Sequence, residues 1–202
     1  MPVRGEADSA TGVARILYKE VVPGDLRKII AASNDSETGG GARDFRFGDF
    51  ENLEPIIRKM FPRRLTEKRR RDGSNATIEI FRGTFHWESN GVEQHKEADF
   101  EPPTTARPSE GRITKVHEQP SFAPDRIPKL GEGNKILLLL VQRKDGSVWP
   151  HFIEERSLEK PGEWDERVAK ELLRCIRAKR ASNRAVIGYR DFVTREGYCN
   201  GK

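Results

Sequence analysis

Ser33 to Phe47, SNDSETGGGARDFRF, sets three consecutive glycines directly before residues that alternate apolar and charged. Backbone amides without a Cβ nearby can press close to a phosphate, and Asn34, Thr38 and Arg43 flank Gly39 and Gly40 as hydrogen-bond donors. The spacing is not G-x-x-x-x-G-K-[ST], and Arg43 stands where a triphosphate loop needs Lys-Ser, so a nucleotide triphosphate is not the expected ligand. On residues alone two readings stay open: a flexible loop before a strand, and a ligand loop whose strand carries Arg43, Asp44 and Arg46 on its polar side.

A second segment, Thr104 to Gln119, TTARPSEGRITKVHEQ, places Arg107, Glu110, Arg112, Lys115 and His117 on a stretch broken by proline and glycine. Arginine can donate a bidentate pair to guanine, glutamate can accept from cytosine, and a threonine such as Thr114 can meet a thymine methyl, which makes this a candidate base-reading arm. Arg58 to Arg71, RKMFPRRLTEKRRR, holds eight basic residues against one acidic one, and Arg174 to Arg184 is similarly one-sided. Such blocks suit phosphate contacts, for which Arg69 is the candidate, and equally suit a solvated face.

Hydrolytic chemistry would need clustered carboxylates. Asp44, Asp49, Glu51, Glu79, Glu88 and Glu154 are available, but none forms a strand-borne Asp…Glu-x-Lys set in a chain with 32 acids. A small metal-dependent nuclease using Glu79 and Glu154 is the alternative reading. The four histidines lack zinc-ligand spacing, no CxxC accompanies them, and there is neither a serine nucleophile elbow nor a Cys-His signature. No catalytic residue, metal or cofactor is therefore expected. Cys175 and Cys199 read as a core thiol and a bystander rather than a disulfide.

The elements that must position these residues follow from periodicity. Of 202 residues, 34% are charged and 35% hydrophobic, with a net charge of +5, which fits a folded chain with long polar loops and an anionic partner. No run reaches the roughly 18 apolar residues of a membrane span, and MPVRGEADSATG has no apolar h-region, so a cytoplasmic protein without membrane contact is expected. Val13 to Val22 alternates as a half-buried strand, Pro23 to Ser33 reads as a short helix, and Arg43 to Phe47 as a strand with Phe45 and Phe47 on one face. Phe50 to Pro62 gives a second helix with Leu53, Ile56, Ile57 and Met60 on one side. Arg63 to Asn75 reads as a charged connector turning at Asp72-Gly73, and Ala76 to Gly91 as one or two strands with a turn at Asn90-Gly91. Val92 onward looks extended, and its later prolines exclude long helices. ILLLLVQR and VWPHFIEE form a hairpin around Asp145-Gly146. Residues 163–180 form an amphipathic helix with Trp164, Val168, Leu172, Cys175 and Ile176 on one stripe, and Arg184 to Phe192 closes with a strand. This predicts an α+β, mainly β fold: an antiparallel open barrel of about seven strands, short helices at its ends and a C-terminal amphipathic helix. Residues 1–12 are expected to be a flexible tail and 13–202 one domain.

In this order the pieces resemble the N-terminal, effector-binding domain of EcoRII-type restriction endonucleases, a DNA-binding pseudobarrel related in fold to the plant B-three domain. SNDSETGGGARDFRF, IIRKMFP, EGRITKV and NKILLLLVQRKDG carry the resemblance over about residues 14–146. It implies that two arms, about 33–46 and 104–118, grip duplex DNA from the major groove. Thr38, Gly39 and Gly40 match in the first arm, with Arg43 and Asp44 just beyond. Arg112, Ile113 and Thr114 match in the second, with Glu110 and Lys115 adjacent. The chain departs from the pattern in the helix-like insert after the first strand and at Gly41 and Ala42, so the target sequence need not be the family's. No counterpart of the catalytic domain that follows in that family is expected in the residues after the matched region. The resemblance thus implies a sequence-specific DNA-binding protein of the restriction-modification type, acting alone or with a separate nuclease or methyltransferase subunit.

Overall fold

The computed structural model describes residues 12–30, 43–71, 74–129, 134–179 and 185–201. Ten strands form one sheet: β1 Val13–Glu20, β2 Phe45–Phe47, β3 Arg63–Arg71, β4 Ser74–Ser89, β5 Val92–Glu101, β6 Gly111–Ile113, β7 Ile136–Arg143, β8 Val148–Glu154, β9 Ile187–Asp191 and β10 Gly197–Cys199. Three α-helices accompany them: α1 Pro23–Ile30, α2 Phe50–Met60 and α3 Glu166–Lys179. The strand order is β10-β9-β1-β7-β8-β4-β5-β6-β2, with β3 on β4, and the sheet curls into an open half-barrel.

The mainly β class is as the periodicity predicts, but the details differ. Among the described residues there are ten strands rather than about seven, and β4 meets β8 in parallel at Phe85 and Val148, so the sheet is mixed. Arg63 to Arg71, expected to be a connector, is a strand whose nine residues pair in register with β4. Leu65 is its only apolar side chain, so pairing with a long neighbour rather than an alternating pattern makes it a strand. The β4–β5 hairpin turns at Asn90 and Gly91, with φ of 52° and 75°, the left-handed pair that a two-residue hairpin requires.

The single parallel contact divides the sheet into two halves with different surroundings. In the first half, β1 lies between β7 and β9 and is buried on both faces rather than half-buried. Leu17 joins the large core under α1 and α2, whereas Ile16 and Tyr18 join a second core under α3. Val168, Leu172, Cys175 and Ile176 form the buried stripe of α3, so that helix is spent on packing. Asp165 begins it by accepting the amides of Arg167 and Val168.

Cys175 is joined to Cys199 in a disulfide, contrary to the expected free thiols. The sequence concealed this because the pairing depends on β10, a three-residue edge strand that brings Cys199 under α3.

In the second half, only one face of the sheet meets a core. Phe81, Phe85, Ala98, Phe100, Ile113, Phe45 and Phe47 point inward toward α2 and the Pro120–Phe122 turn. Alternation sends Arg82, Asp99, Glu101, Arg112 and Arg46 to the opposite face. Gly111 permits this packing: a Cβ there would lie 2.4 Å from a Phe100 ring carbon.

Candidate nucleic-acid interface

The end of the first candidate arm that lies among the described residues meets the second arm, far away in sequence, as a neighbouring strand. β2 pairs with β6 so that Phe45 faces Ile113, Arg46 faces Arg112 and Phe47 faces Gly111. β6 in turn pairs with the end of β5, setting Arg112 opposite Glu101. Phe45 and Phe47 anchor β2 in the core and Ile113 anchors β6, so the residues between them share the polar face.

Arg112 sits at the centre of that face. Its Nε and Nη2 donate to Glu101 Oε2 at 2.9 and 2.5 Å, and its Nη1 donates to Asp44 Oδ2 at 2.8 Å. Asp44 and Glu101 are buried, with side chains 3% and 1% exposed. Burial works against the Arg112 charge, but the Glu101 and Asp44 carboxylates hold its pKa above the ordinary value. All three hydrogen-bonding nitrogens of this guanidinium are thus turned inward, onto the protein.

Arg46 is placed differently. Its guanidinium lies 3.6 Å from both Asp44 and Glu110, outside hydrogen-bonding distance, and Nε has no hydrogen-bond partner. Arg46, Arg107, Thr104, Glu110 and Arg112 line a cleft of about 200 Å³. Thr104 and Arg107 close a tight hairpin by mutual backbone hydrogen bonds, which presents an exposed Arg107 at the rim. The Phe50 amide donates to Ser109 O, fixing the base of this hairpin to the start of α2.

A second cleft, of about 170 Å³, lies where the chain leaves β6, lined by Thr114, Lys115, Gln119, Lys96, Arg82 and Asp99 among others. Lys115 has left-handed backbone, φ 52°, which turns the chain into the Val116–Glu118 turn and leaves its side chain exposed. The Val116 amide donates to Arg43 O at 3.0 Å, so the end of the first arm is stitched to the second. Arg82 donates to Asp99 through Nε at 2.6 Å and Nη2 at 3.0 Å, and further carboxylates at Glu67 and Glu97 surround it.

Of the residues expected at the interface, Asp44, Arg46, Glu110 and Arg112 form one contact cluster, and Arg107 shares its cleft. Thr114 and Lys115 border the neighbouring cleft, with the Thr114 hydroxyl buried rather than presented. Arg69 lies on β3 opposite Ala76, separated from β6 by β4 and β5. Asn34, Thr38, Gly39 and Gly40 lie outside the described residues. Glu101, Asp99 and Arg82 were missed by motif reading. Their signal was the strand alternation itself, in which each alternates with Ala98, Phe100 or Phe81.

Glu79 and Glu154 are not brought together. From the parallel contact at Phe85 and Val148, one lies six residues before and the other six after, at opposite ends of the strand pair. That is about 40 Å of strand path at roughly 3.3 Å per residue, too far to share an ion. Each also pairs with an arginine, Arg64 and Arg156 respectively.

Comparison with protein-family models, curated proteins and solved structures finds no match to this chain.

Proposed function

We propose that the protein is a sequence-specific double-stranded DNA-binding pseudobarrel of the restriction-modification type, gripping the duplex with its two arms and not catalytic by itself. One observation carries the reading: the described end of the first arm, at Phe45 and Arg46 on β2, is paired with β6 of the second arm and tied to it by the Arg112–Asp44 ion pair. Independent loops would have no reason to share a register and a buried charge.

Within this reading the roles divide by how each group is held. Arg46, 3.6 Å from Asp44 and Glu110 beside the cleft, and Arg107 at its rim reach base edges. Arg112, Asp44 and Glu101 are positioning residues that fix the strands carrying them. Lys115 and Arg43, where the arms join, serve the phosphate backbone, since such contacts orient a duplex without reading it. A bidentate arginine–guanine contact is worth about 1–3 kcal/mol of discrimination.

Selection of bound duplexes from a random library, methylated and unmethylated, tests the proposal. Enrichment of a motif with salt-dependent affinity is expected. No enrichment and no salt-dependent binding would remove it.

A further inference from the structure

The β3–β4 hairpin is more than a sheet component. β4 runs for sixteen residues, but β5 pairs only with Phe81 to Ser89 and β8 only at Phe85. Ser74 to Ile80 is therefore held by β3 alone among the described residues, as a two-stranded ribbon continuing beyond the sheet. At roughly 3.3 Å per residue this free length is about 20 Å, or six base pairs of duplex at about 3.4 Å each.

Its charge is one-sided. Residues 63–71 carry Arg63, Arg64, Lys68, Arg69, Arg70 and Arg71 against Glu67. Glu67 faces Arg82 at 3.3 Å, and Glu79 is paired with Arg64 at 2.5 Å, so both described acids of the ribbon are already matched. A charge or two on an edge strand suffices to deter pairing with another chain. Consecutive arginines at 69–71, at the far end of the register opposite Ala76, Asn75 and Ser74, exceed that need.

The direction of the ribbon links it to the interface. β5 runs antiparallel to β4, so its last residue, Glu101, lies at the end from which the ribbon departs. The Thr104–Arg107 hairpin follows Glu101 immediately. Ribbon and second arm therefore leave the sheet at the same end.

We infer that the β3–β4 ribbon is a third DNA contact, a sequence-independent clamp on phosphates flanking the site on one side. This rests on the two-arm reading but adds an element, a location and an asymmetry to it. Two-stranded ribbons fit a duplex groove, and arginine suits phosphate.

The test embeds the selected motif in duplexes extended stepwise on the left, the right or both sides, and measures affinity by fluorescence anisotropy from 50 to 200 mM salt. The wild-type chain is expected to gain affinity from one flank only, over about six base pairs. R69A/R70A/R71A should lose that gain while ranking sequences in the wild-type order. Its salt slope should fall by about 2.7, at roughly 0.9 per phosphate contact, which is about 40-fold over this salt range. R69K/R70K/R71K should keep most of the slope, separating charge from a fold defect. Equal slopes and flank gains in wild type and alanine variant would overturn the clamp while leaving the arms intact. A changed base preference would instead make the ribbon a reading element. A concentration-dependent mass lost in the alanine variant, with DNA binding unaltered, would make it a contact between copies. A wild-type chain that selects no duplex would remove the two-arm reading and the clamp together.

Discussion

The contrast between Arg112 and Arg46 yields the sharpest prediction, because neighbouring guanidiniums on paired strands should fail in opposite ways. Replacing Arg112 by alanine removes three hydrogen bonds to two carboxylates, Asp44 and Glu101, that are 3% and 1% exposed. Breaking a buried ion pair from one side costs about 3–5 kcal/mol. The Arg112 side chain is itself 18% exposed, so water can partly replace it, and the loss should fall near the lower end, about 3 kcal/mol. Arg46, with two contacts at 3.6 Å, should cost less than about 1 kcal/mol when replaced by alanine. Urea unfolding followed by circular dichroism gives both values. In the cycle of R112A, E101Q and the double variant, the coupling energy should be about 2 kcal/mol, since E101Q removes the charge that Arg112 contacts. For DNA the order reverses: R46A should keep its fold and lose about 5- to 150-fold in discrimination at one base position. If R112A unfolds with the wild-type midpoint and shows no coupling to E101Q, the guanidinium is not spent on the fold, and its assignment as a positioning residue is refuted.

The remaining predictions concern the frame. Reducing the Cys175–Cys199 disulfide, which closes a sequence separation of 24 residues, should lower stability by about 3.5 kcal/mol on the chain-entropy estimate; urea midpoints with and without reductant, and of C175A/C199A, check this. His151 has its pKa pushed down to about 4, mainly by burial and secondarily by Arg143. The folded chain then binds fewer protons than the unfolded one between pH 6.5 and 4, so stability is full above that window and falls as pH drops through it. The loss should be about 2 kcal/mol between pH 7.5 and 5, and H151Q should remove that part of the slope in urea titrations at the two pH values. G111A should destabilise the chain by about 1–3 kcal/mol through overpacking against Phe100, read as a lower melting temperature, whereas G91A, with open space around its Cβ, should suffer only the milder strain of positive φ.

Apolar periodicity made most of the first half of the sheet legible. ILLLLVQR, the Asp145-Gly146 turn and the stripe of α3 are local patterns, and the structure realises them as β7, β8 and a packed helix. β3 was illegible because its stability resides in the register with β4, which no local pattern of arginines encodes. Arg112 was legible as a chemistry-bearing residue but not as one turned onto buried carboxylates. Its partners, Asp44 and Glu101, stand 68 and 11 residues away, and only strand pairing turns those separations into contacts. The disulfide failed for the same reason, since a cysteine's partner is a property of the sheet edge.

The charge balance of the polar face has a consequence for how binding energy is distributed. Arg112 and Arg82 are each matched by carboxylates, Asp44 and Glu101 for one, Asp99, Glu97 and Glu67 for the other. A face so neutralised attracts phosphate weakly, because each guanidinium that turned to DNA would give up its contacts with these carboxylates. It can still fix the geometry of Arg46 and Arg107 closely. Affinity from phosphates must then come from the margins, Lys115 and Arg43 on one side and the β3–β4 ribbon on the other. On that division, the centre discriminates and the edges hold. Removing edge charge should lower affinity for all duplexes alike, while removing Arg46 should lower it only for the preferred one.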